Sequence, residues 1–295
     1  MVIKTVGIIN GCSGHWHQAA HEAKLDVLWD YEPSWQREVI EHNFGGAILN
    51  KEEKIFNYEK PDLICGSPPC TGFTPAAGKA FRPELECNNF VVRFGKLVAK
   101  IKPKCFVMEE VKNFCLVEND FWKAYIKAIK KDYNFTYDII NAFDYGSPQN
   151  RNRFVICGLR KPKKPDHNLL YDTEGIPREY PLERLRGVKP AERITPAKHI
   201  KGNWGYLSTP HKRMMRTLKK NVPCHTLTGF CTKDILMPSG RFIAYNEAAA
   251  LMGFHKNYDF EFLCKSKRGL AIGRGVPVEL ARHFLLTMQA AEVMK

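Results

Sequence analysis

Several features that define common protein classes are missing from this sequence of 295 residues. No apolar run approaches the length of a membrane span, and residues 1–4 lead directly into a predicted strand, so we expect neither a membrane-spanning segment nor a signal peptide. The ten cysteines include no Cys-x-x-Cys pair and no Cys/His cluster with zinc-ligand spacing. This predicts reduced thiols in a cytoplasmic protein without a structural metal ion.

The chain has fewer acidic residues than basic ones. The chain has 31 of them against 45 lysines and arginines, which gives a net charge of +14 and a pI near 9.3. Such an excess predicts a polyanionic partner, although composition alone does not separate nucleic acid from a membrane surface. The length suits one large α/β domain with a smaller one, and no repeat or low-complexity segment interrupts it.

Apolar runs and helical patterns alternate through the first half of the chain. This alternation predicts a doubly wound α/β sheet of the Rossmann type. The predicted strands cover residues 4–9, 27–31, 63–65, 105–108, 135–141 and 154–158. The predicted helices cover residues 15–23, 33–43, 88–101 and 120–131, with two more at 245–252 and 278–289.

The first strand runs into the turn Asn10-Gly11-Cys12-Ser13-Gly14 and then into a helix. This order is typical of a nucleotide-binding opening, although a plain tight turn is the commoner source of such a pattern. The second predicted strand ends at Glu32, where an acidic residue can bind the two hydroxyls of a ribose. An exposed carboxylate at the start of the next helix explains Glu32 equally well.

Cys70 closes the segment Gly66-Ser67-Pro68-Pro69-Cys70, which follows a short buried strand. Two consecutive prolines fix the backbone before the thiol, and the carboxyl ends of parallel strands are where α/β sheets place their chemistry. Most free cysteines are small buried hydrophobes. Here the rigid loop at a strand end favours a nucleophile.

Glu109 follows a hydrophobic strand and is expected on the same edge of the sheet as Cys70, as a candidate acid or as a solvated strand terminus. Arg151 and Arg153 alternate in an extended segment and are expected to share one face. They could hold a phosphate or a carbonyl oxygen, or belong to a row of surface ion pairs.

Beyond residue 158 the alternation stops. A basic, proline-broken linker at 161–165 precedes an irregular region with basic patches and the aromatics Trp204 and Tyr206, which suits contact with a nucleic acid. Each charge run alone could be a solvated face. Residues 76–87, rich in glycine, proline and charge, predict a mobile lid over the Cys70 loop.

Taken in order, five stretches resemble the DNA (cytosine-C5) methyltransferase family along nearly the whole chain. The stretches are Gly66-Ser67-Pro68-Pro69-Cys70, Glu109-Glu110-Val111, Gln149-Asn150-Arg151-Asn152-Arg153, the segment from Pro223 to Phe254, and Gly273-Arg274-Gly275-Val276-Pro277. Three positions depart from the family pattern: Glu110 and Arg274 stand where asparagine is usual, and Thr71 where glutamine is usual. The opening turn also departs from the family's usual start.

The resemblance implies roles for particular residues. The implied catalytic residues are Cys70, Glu109, Arg151 and Arg153. The residues implied to bind S-adenosyl-L-methionine are Asn10, Gly11, Ser13, Gly14, Glu32, Pro33, Asn50, Pro68, Arg274, Gly275 and Val276. The residues implied to bind nucleic acid are Gln149, Lys212, Arg213, Thr228 and Arg241.

The implied reaction is methyl transfer from S-adenosyl-L-methionine to C5 of a flipped-out cytosine, with Cys70 bonded to C6 of the ring. We expect a monomer acting on double-stranded DNA without a metal, in a bacterial or phage-encoded restriction-modification setting. We expect a catalytic domain at 1–162 plus 266–295 and a target-recognition domain at 163–265.

Two alternatives remain open. A branch of the same family that modifies tRNA also has a Pro-Pro-Cys loop. A nucleic-acid-binding protein that lost its cofactor would explain the altered opening turn and Arg274, but not the presence of Cys70 together with Glu109 and Arg151.

Overall fold

The computed structural model describes residues 3–74, 86–116, 120–191 and 216–293. Most of the predicted lid lies outside the described residues, as do Trp204, Tyr206 and the two predicted nucleic-acid contacts Lys212 and Arg213. The described part of the chain contains every other residue to which the sequence assigned a role.

Seven strands form one sheet. They are β1 (Thr5–Ile9), β2 (Asp26–Tyr31), β3 (Ile48–Leu49), β4 (Leu63–Gly66), β5 (Cys105–Val111), β6 (Tyr133–Asn141) and β8 (Asn152–Arg160). Their order across the sheet is β3-β2-β1-β4-β5-β8-β6. The pairs among β1 to β5 are all parallel, whereas β8 runs antiparallel between β5 and β6. The predicted doubly wound α/β fold is confirmed.

Short strands and helices complete the chain. Two small parallel pairs join β7 (Gln149–Asn150) to β10 (Cys224–His225) and β9 (Arg216–Thr217) to β11 (Ile235–Leu236). The helices are α1 (His15–Glu22), α2 (Arg37–Phe44), α3 (Asn89–Ile101), α4 (Asn113–Leu116), α5 (Asp120–Ile129), α6 (Pro181–Arg184), α7 (Cys231–Asp234), α8 (Tyr245–Leu251), α9 (Lys265–Gly273) and α10 (Val278–Val293).

Each face of the sheet has its own core, because side chains alternate along a strand. In β5, Cys105 and Val107 face the core that holds α1 and α10, whereas Phe106 and Met108 face the core that holds α3 and α5. This alternation continues to the end of β5. It sends Glu109 toward the α1 side and Glu110 toward the α3 side.

The first of these cores also takes in apolar residues from the segment between β8 and α9, among them Leu227, Ile243 and Phe260. The predicted boundary between a catalytic and a recognition domain therefore crosses a continuous apolar core and stays a prediction. No helix among the described residues is long and apolar enough to cross a membrane.

Several predicted boundaries differ from the structure by a few residues, and two of these differences bear on the site. The helix expected from residue 33 begins at Arg37, because residues 32–36 form a turn in which the Ser34 N–H donates to Glu32. Glu109 was expected after its strand but lies inside β5, where it pairs with Val155 of β8. Its backbone is thus fixed by the sheet.

Candidate active site

The site forms where the order of the sheet reverses, between β1 and β4. Open α/β sheets bind ligands at this switch point, outside the carboxyl ends of the strands. The two strand ends touch closely: a Cβ on Gly66 would lie 1.8 Å from the Ile9 carbonyl oxygen, so only glycine fits there. The next residue, Ser67, donates its N–H to the carbonyl of Asn10 at 3.3 Å.

Cys70 lies on the loop after β4, at the start of a single 3-10 turn at Thr71–Phe73. The loop is anchored by Phe73, which is fully buried, contacts Phe114 edge to face and donates its N–H to the Cys70 carbonyl at 2.9 Å. Burial raises the pKa of the Cys70 thiol to about 12, and the carboxyl of Glu110 acts in the same direction. A thiolate here needs stabilisation from its partners.

Glu109 is held in the site by two partners. Its Oε2 accepts a hydrogen bond from the Ser67 hydroxyl at 2.6 Å, and its Oε1 lies 2.7 Å from Nε of Arg153. Trp16 on α1 in turn donates its indole N–H to the Ser67 oxygen at 2.8 Å. Because Ser67 belongs to the Cys70 loop, this chain of contacts fixes the carboxylate relative to the thiol.

The two arginines have different surroundings. Arg153, at the start of β8, is the partner of Glu109. The guanidinium of Arg151 is almost fully buried and donates to the carbonyls of Leu227 at 2.7 Å and Gly275 at 2.5 Å. Burial lowers the pKa of Arg151 to about 9, and the charge of Arg153 adds to that effect.

The role predicted for Arg151, holding a substrate carbonyl, stays a prediction. In the structure its NH1 and NH2 donors join backbone segments that are far apart in sequence. Arg153 is the arginine whose side chain lies beside the carboxylate of Glu109.

Glu32 directly follows β2, the strand next to β1 in the sheet. Its side chain is buried, and its Oε1 accepts the N–H of Ser34 at 3.0 Å. Burial raises the pKa of Glu32 to about 7. The amide oxygen Oδ1 of Asn10, also buried at this edge, has no hydrogen-bond partner among the described residues. A ligand with hydroxyl or ammonium donors would satisfy both groups.

Three residues of the opening turn are explained by packing within the protein. A Cβ on Gly11 would lie 2.6 Å from Oδ2 of Asp30, and one on Gly14 would lie 2.1 Å from the hydroxyl of Tyr258. The Ser13 hydroxyl accepts a hydrogen bond from Gln36 at 2.8 Å. These contacts explain the residue types within the protein, and the cofactor role predicted for the three residues stays a prediction.

The remaining predicted cofactor residues differ in exposure. Pro33, Asn50 and Arg274 are exposed, whereas Pro68, Gly275 and Val276 are buried. Gly275 packs against the ring of His15, where a Cβ would lie 2.3 Å from ring atoms. Among these six residues, Arg274 is both charged and exposed, so its guanidinium can contact a ligand.

Two predicted nucleic-acid contacts have partners within the protein, and their contact with nucleic acid stays a prediction. The Gln149 amide is fully buried, donates to the Leu251 carbonyl at 2.9 Å and accepts the Leu227 N–H at 3.1 Å. Arg241 forms a two-point ion pair with the buried Glu247 at 2.6 and 2.7 Å. Thr228, the third described residue of this predicted set, is exposed and therefore accessible to a nucleic acid.

Sequence inspection did not assign roles to Ser67 or Trp16. Ser67 was part of the segment used to identify Cys70, but a serine in a turn gives no sign of its partner 42 residues away. No group of three or more metal-ligating side chains lies close together in the described part of the chain.

Comparisons with known proteins identify the family of the chain. A model of the family described as C-5 cytosine-specific DNA methylase matches residues 10–290. The type II methyltransferase M.HindV of Haemophilus influenzae is 31% identical over 183 residues, which cover 58% of this chain and 57% of that protein. M.NgoFVII of Neisseria gonorrhoeae is 26% identical over 96% of this chain and 86% of that protein.

Among solved structures, the S. pombe Dnmt2 methyltransferase aligns with a TM-score of 0.70 at 15% identity, over 99% of both chains. At that identity the likeness concerns the fold alone. The chain spans little more than half the length of M.HindV. The family match, however, runs from the opening turn through α10, and it confirms the predicted resemblance: the chain belongs to the C-5 cytosine-specific DNA methylase family.

Proposed function

We propose that this chain transfers a methyl group from S-adenosyl-L-methionine to C5 of a flipped-out cytosine in double-stranded DNA, through a transient bond between Cys70 and C6. The observation that carries the proposal is the hydrogen bond from Ser67, in the Cys70 loop, to the carboxylate of Glu109. Because Ser67 lies three residues before Cys70 in the same loop, this bond supports a reaction in which the thiol and the acid act on one pyrimidine ring.

The residues divide the work as follows. The Cys70 thiolate adds to C6, and the electron pair of the C5–C6 double bond makes C5 nucleophilic. Glu109 shares a proton with N3 and so relieves the charge that builds on the ring. Arg153, paired with Glu109, faces the ring carbonyl. After methylation the C5 proton leaves, the double bond re-forms and Cys70 departs as thiolate.

The cofactor would be held at the carboxyl ends of β1 and β2. S-adenosyl-L-methionine supplies an electrophilic methyl group when bound. The buried Glu32 suits the two ribose hydroxyls, and the unpartnered Asn10 oxygen suits a donor such as the cofactor's ammonium group. Both groups are buried acceptors, so a ligand with donors satisfies polar atoms that are otherwise costly to desolvate.

Double-stranded DNA fits the net charge of +14. Flipping a base costs a few kcal/mol, which contacts between basic residues and phosphates can offset. We assign recognition to residues 163–265 and catalysis to 1–162 with 266–295. The type II methyltransferases among the relatives suggest a restriction-modification setting, in the cytoplasm of a bacterium or encoded by a phage.

A duplex that contains 5-fluorocytosine tests the proposal. Fluorine at C5 blocks loss of the C5 substituent, so with S-adenosyl-L-methionine we expect a protein–DNA adduct that survives denaturation. Cys70→Ala should give no adduct, and Cys264→Ala, which removes an exposed cysteine elsewhere, should give as much as the unmodified protein. An equal adduct with Cys70→Ala would refute the assignment of the nucleophile.

The substrate is tested by methyl incorporation into duplex DNA and into tRNA in parallel. We expect incorporation into DNA. Incorporation into tRNA alone would keep the chemistry and reject the substrate. A calorimetric titration that shows no binding of S-adenosyl-L-methionine would replace the proposal by a nucleic-acid-binding function.

A further inference from the structure

Arg274 occupies an exposed position directly after α9, next to the candidate active site. The backbone on either side of it is held by Arg151, which donates to the carbonyls of Gly273 at 3.5 Å and Gly275 at 2.5 Å. Arg151 lies two residues before the arginine that pairs with Glu109 at 2.7 Å. The position of Arg274 is therefore fixed relative to the catalytic groups.

The helix α9 packs directly on the loop that follows β10. A Cβ on Gly273 would lie 2.0 Å from the Thr228 carbonyl oxygen, and a Cβ on Gly229 would lie 2.6 Å from Cδ2 of Leu270. The side chain of Arg274 lies along the same loop, because the Cβ on Gly229 would also lie 3.6 Å from its Nε. The charge of Arg274 is thus next to Thr228, which is exposed and predicted to contact nucleic acid.

The guanidinium of Arg274 makes no hydrogen bond or ion pair with any residue in the described ranges. Its neighbour Gly275 packs on the ring of His15, whose Nε2 lies 3.1 Å from the Ile272 carbonyl oxygen. His15 belongs to α1 and therefore covers the side of this segment that faces the opening turn. Arg274 lies against Gly229, so its charge is directed to the loop after β10.

We propose that Arg274 binds a backbone phosphate of the DNA substrate beside Thr228. This inference rests on the proposed function, and it replaces the cofactor role that the family resemblance implies for Arg274. A guanidinium presents two parallel N–H donors that match the oxygens of a phosphate, and an amide at this position, where asparagine is usual, carries no charge. Each phosphate that a cation neutralises releases counterions from DNA. The contribution of Arg274 to DNA affinity should therefore weaken as the salt concentration rises.

The salt dependence of DNA binding tests the inference without turnover. Fluorescence anisotropy of a labelled, mixed-sequence duplex is measured between about 50 and 200 mM salt for the unmodified protein, Arg274→Gln and Arg274→Lys. The matched control is Arg160→Gln, which removes an exposed arginine at the opposite edge of the sheet, where its N–H donates to the Lys104 carbonyl at 2.9 Å. Calorimetric titrations with S-adenosyl-L-methionine alone measure cofactor affinity, and thermal melts identify a loss of fold.

We expect Arg274→Gln to bind the duplex about tenfold more weakly at the lowest salt concentration. The slope of the logarithm of affinity against the logarithm of salt should become shallower by about one unit. Arg274→Lys should keep the slope, Arg160→Gln should change neither quantity, and cofactor affinity should stay within about twofold throughout.

An unchanged slope in Arg274→Gln, an equal change in Arg160→Gln, or a loss of cofactor affinity in Arg274→Gln would overturn the inference. The last result would return Arg274 to the cofactor site. Failure of the proposed function is a separate result, because it would appear in the unmodified protein as a lack of binding to the duplex or to S-adenosyl-L-methionine.

Discussion

The hydrogen bond between Ser67 and Glu109 gives the sharpest test of how the site is held together. Ser67→Ala removes the donor to a buried carboxylate, and it also leaves the indole N–H of Trp16 without its acceptor. A hydrogen bond to a charged group contributes roughly 1.5–3 kcal/mol. If that energy holds Glu109 in the reactive position, the rate of methyl transfer should fall about 10- to 100-fold.

Single-turnover methylation with a radiolabelled methyl donor measures that rate, and urea denaturation measures the change in stability. The matched control is Trp16→Phe, which removes the outer hydrogen bond and leaves the one between Ser67 and Glu109 intact. We expect it to lower the free energy of unfolding by about 1 kcal/mol and to slow methylation less than fivefold. A Ser67→Ala protein that methylates within twofold of the normal rate would show that Arg153 alone positions Glu109.

Two further predictions concern charge. Arg151→Met should lower the free energy of unfolding, measured in urea, by about 3 kcal/mol or more, because buried carbonyls lose their charged donors. Arg153→Met should change the urea midpoint far less, but it should abolish the 5-fluorocytosine adduct. Since burial raises the pKa of Glu32 from 4.5 to about 7, the folded state keeps a proton that the unfolded state releases, and stability falls as pH rises between those values by at most roughly 3 kcal/mol. Glu32→Gln should therefore melt at a higher temperature than the unmodified protein at pH 8, with no such gain at pH 4.5; an equal gain at both pH values would contradict this assignment.

The sequence predicted the parallel core of the sheet well, because β1, β4 and β5 are short apolar runs bounded by turn residues. It could not locate the start of α2, since the carboxylate of Glu32 binds the Ser34 backbone and delays the helix to Arg37. It missed α9, whose first turns are the polar run Lys265-Ser266-Lys267-Arg268 and hide the helical pattern.

The sequence likewise predicted some features of the candidate site and missed others. Cys70 and Glu109 could be expected on one edge, because the carboxyl ends of parallel strands meet there. The roles of Arg151 and Arg153 could not be separated, because two arginines at alternate positions look alike until their partners are known. Gln149 likewise gave no sign that its amide would be consumed by the backbone of Leu227 and Leu251.

The hydrogen bonds of the Arg151 guanidinium affect the stage of synthesis at which the site can form. Its two shortest hydrogen bonds reach carbonyls 76 and 124 residues further along the chain, so a nascent polypeptide that ends before Gly275 has buried donors without acceptors. The backbone of Arg153, by contrast, is held by pairing with Val111 of β5 and Ile140 of β6, which are made earlier. Cys70 is thus synthesised early, but the hydrogen bonds of the buried Arg151 guanidinium form only once residue 275 has emerged.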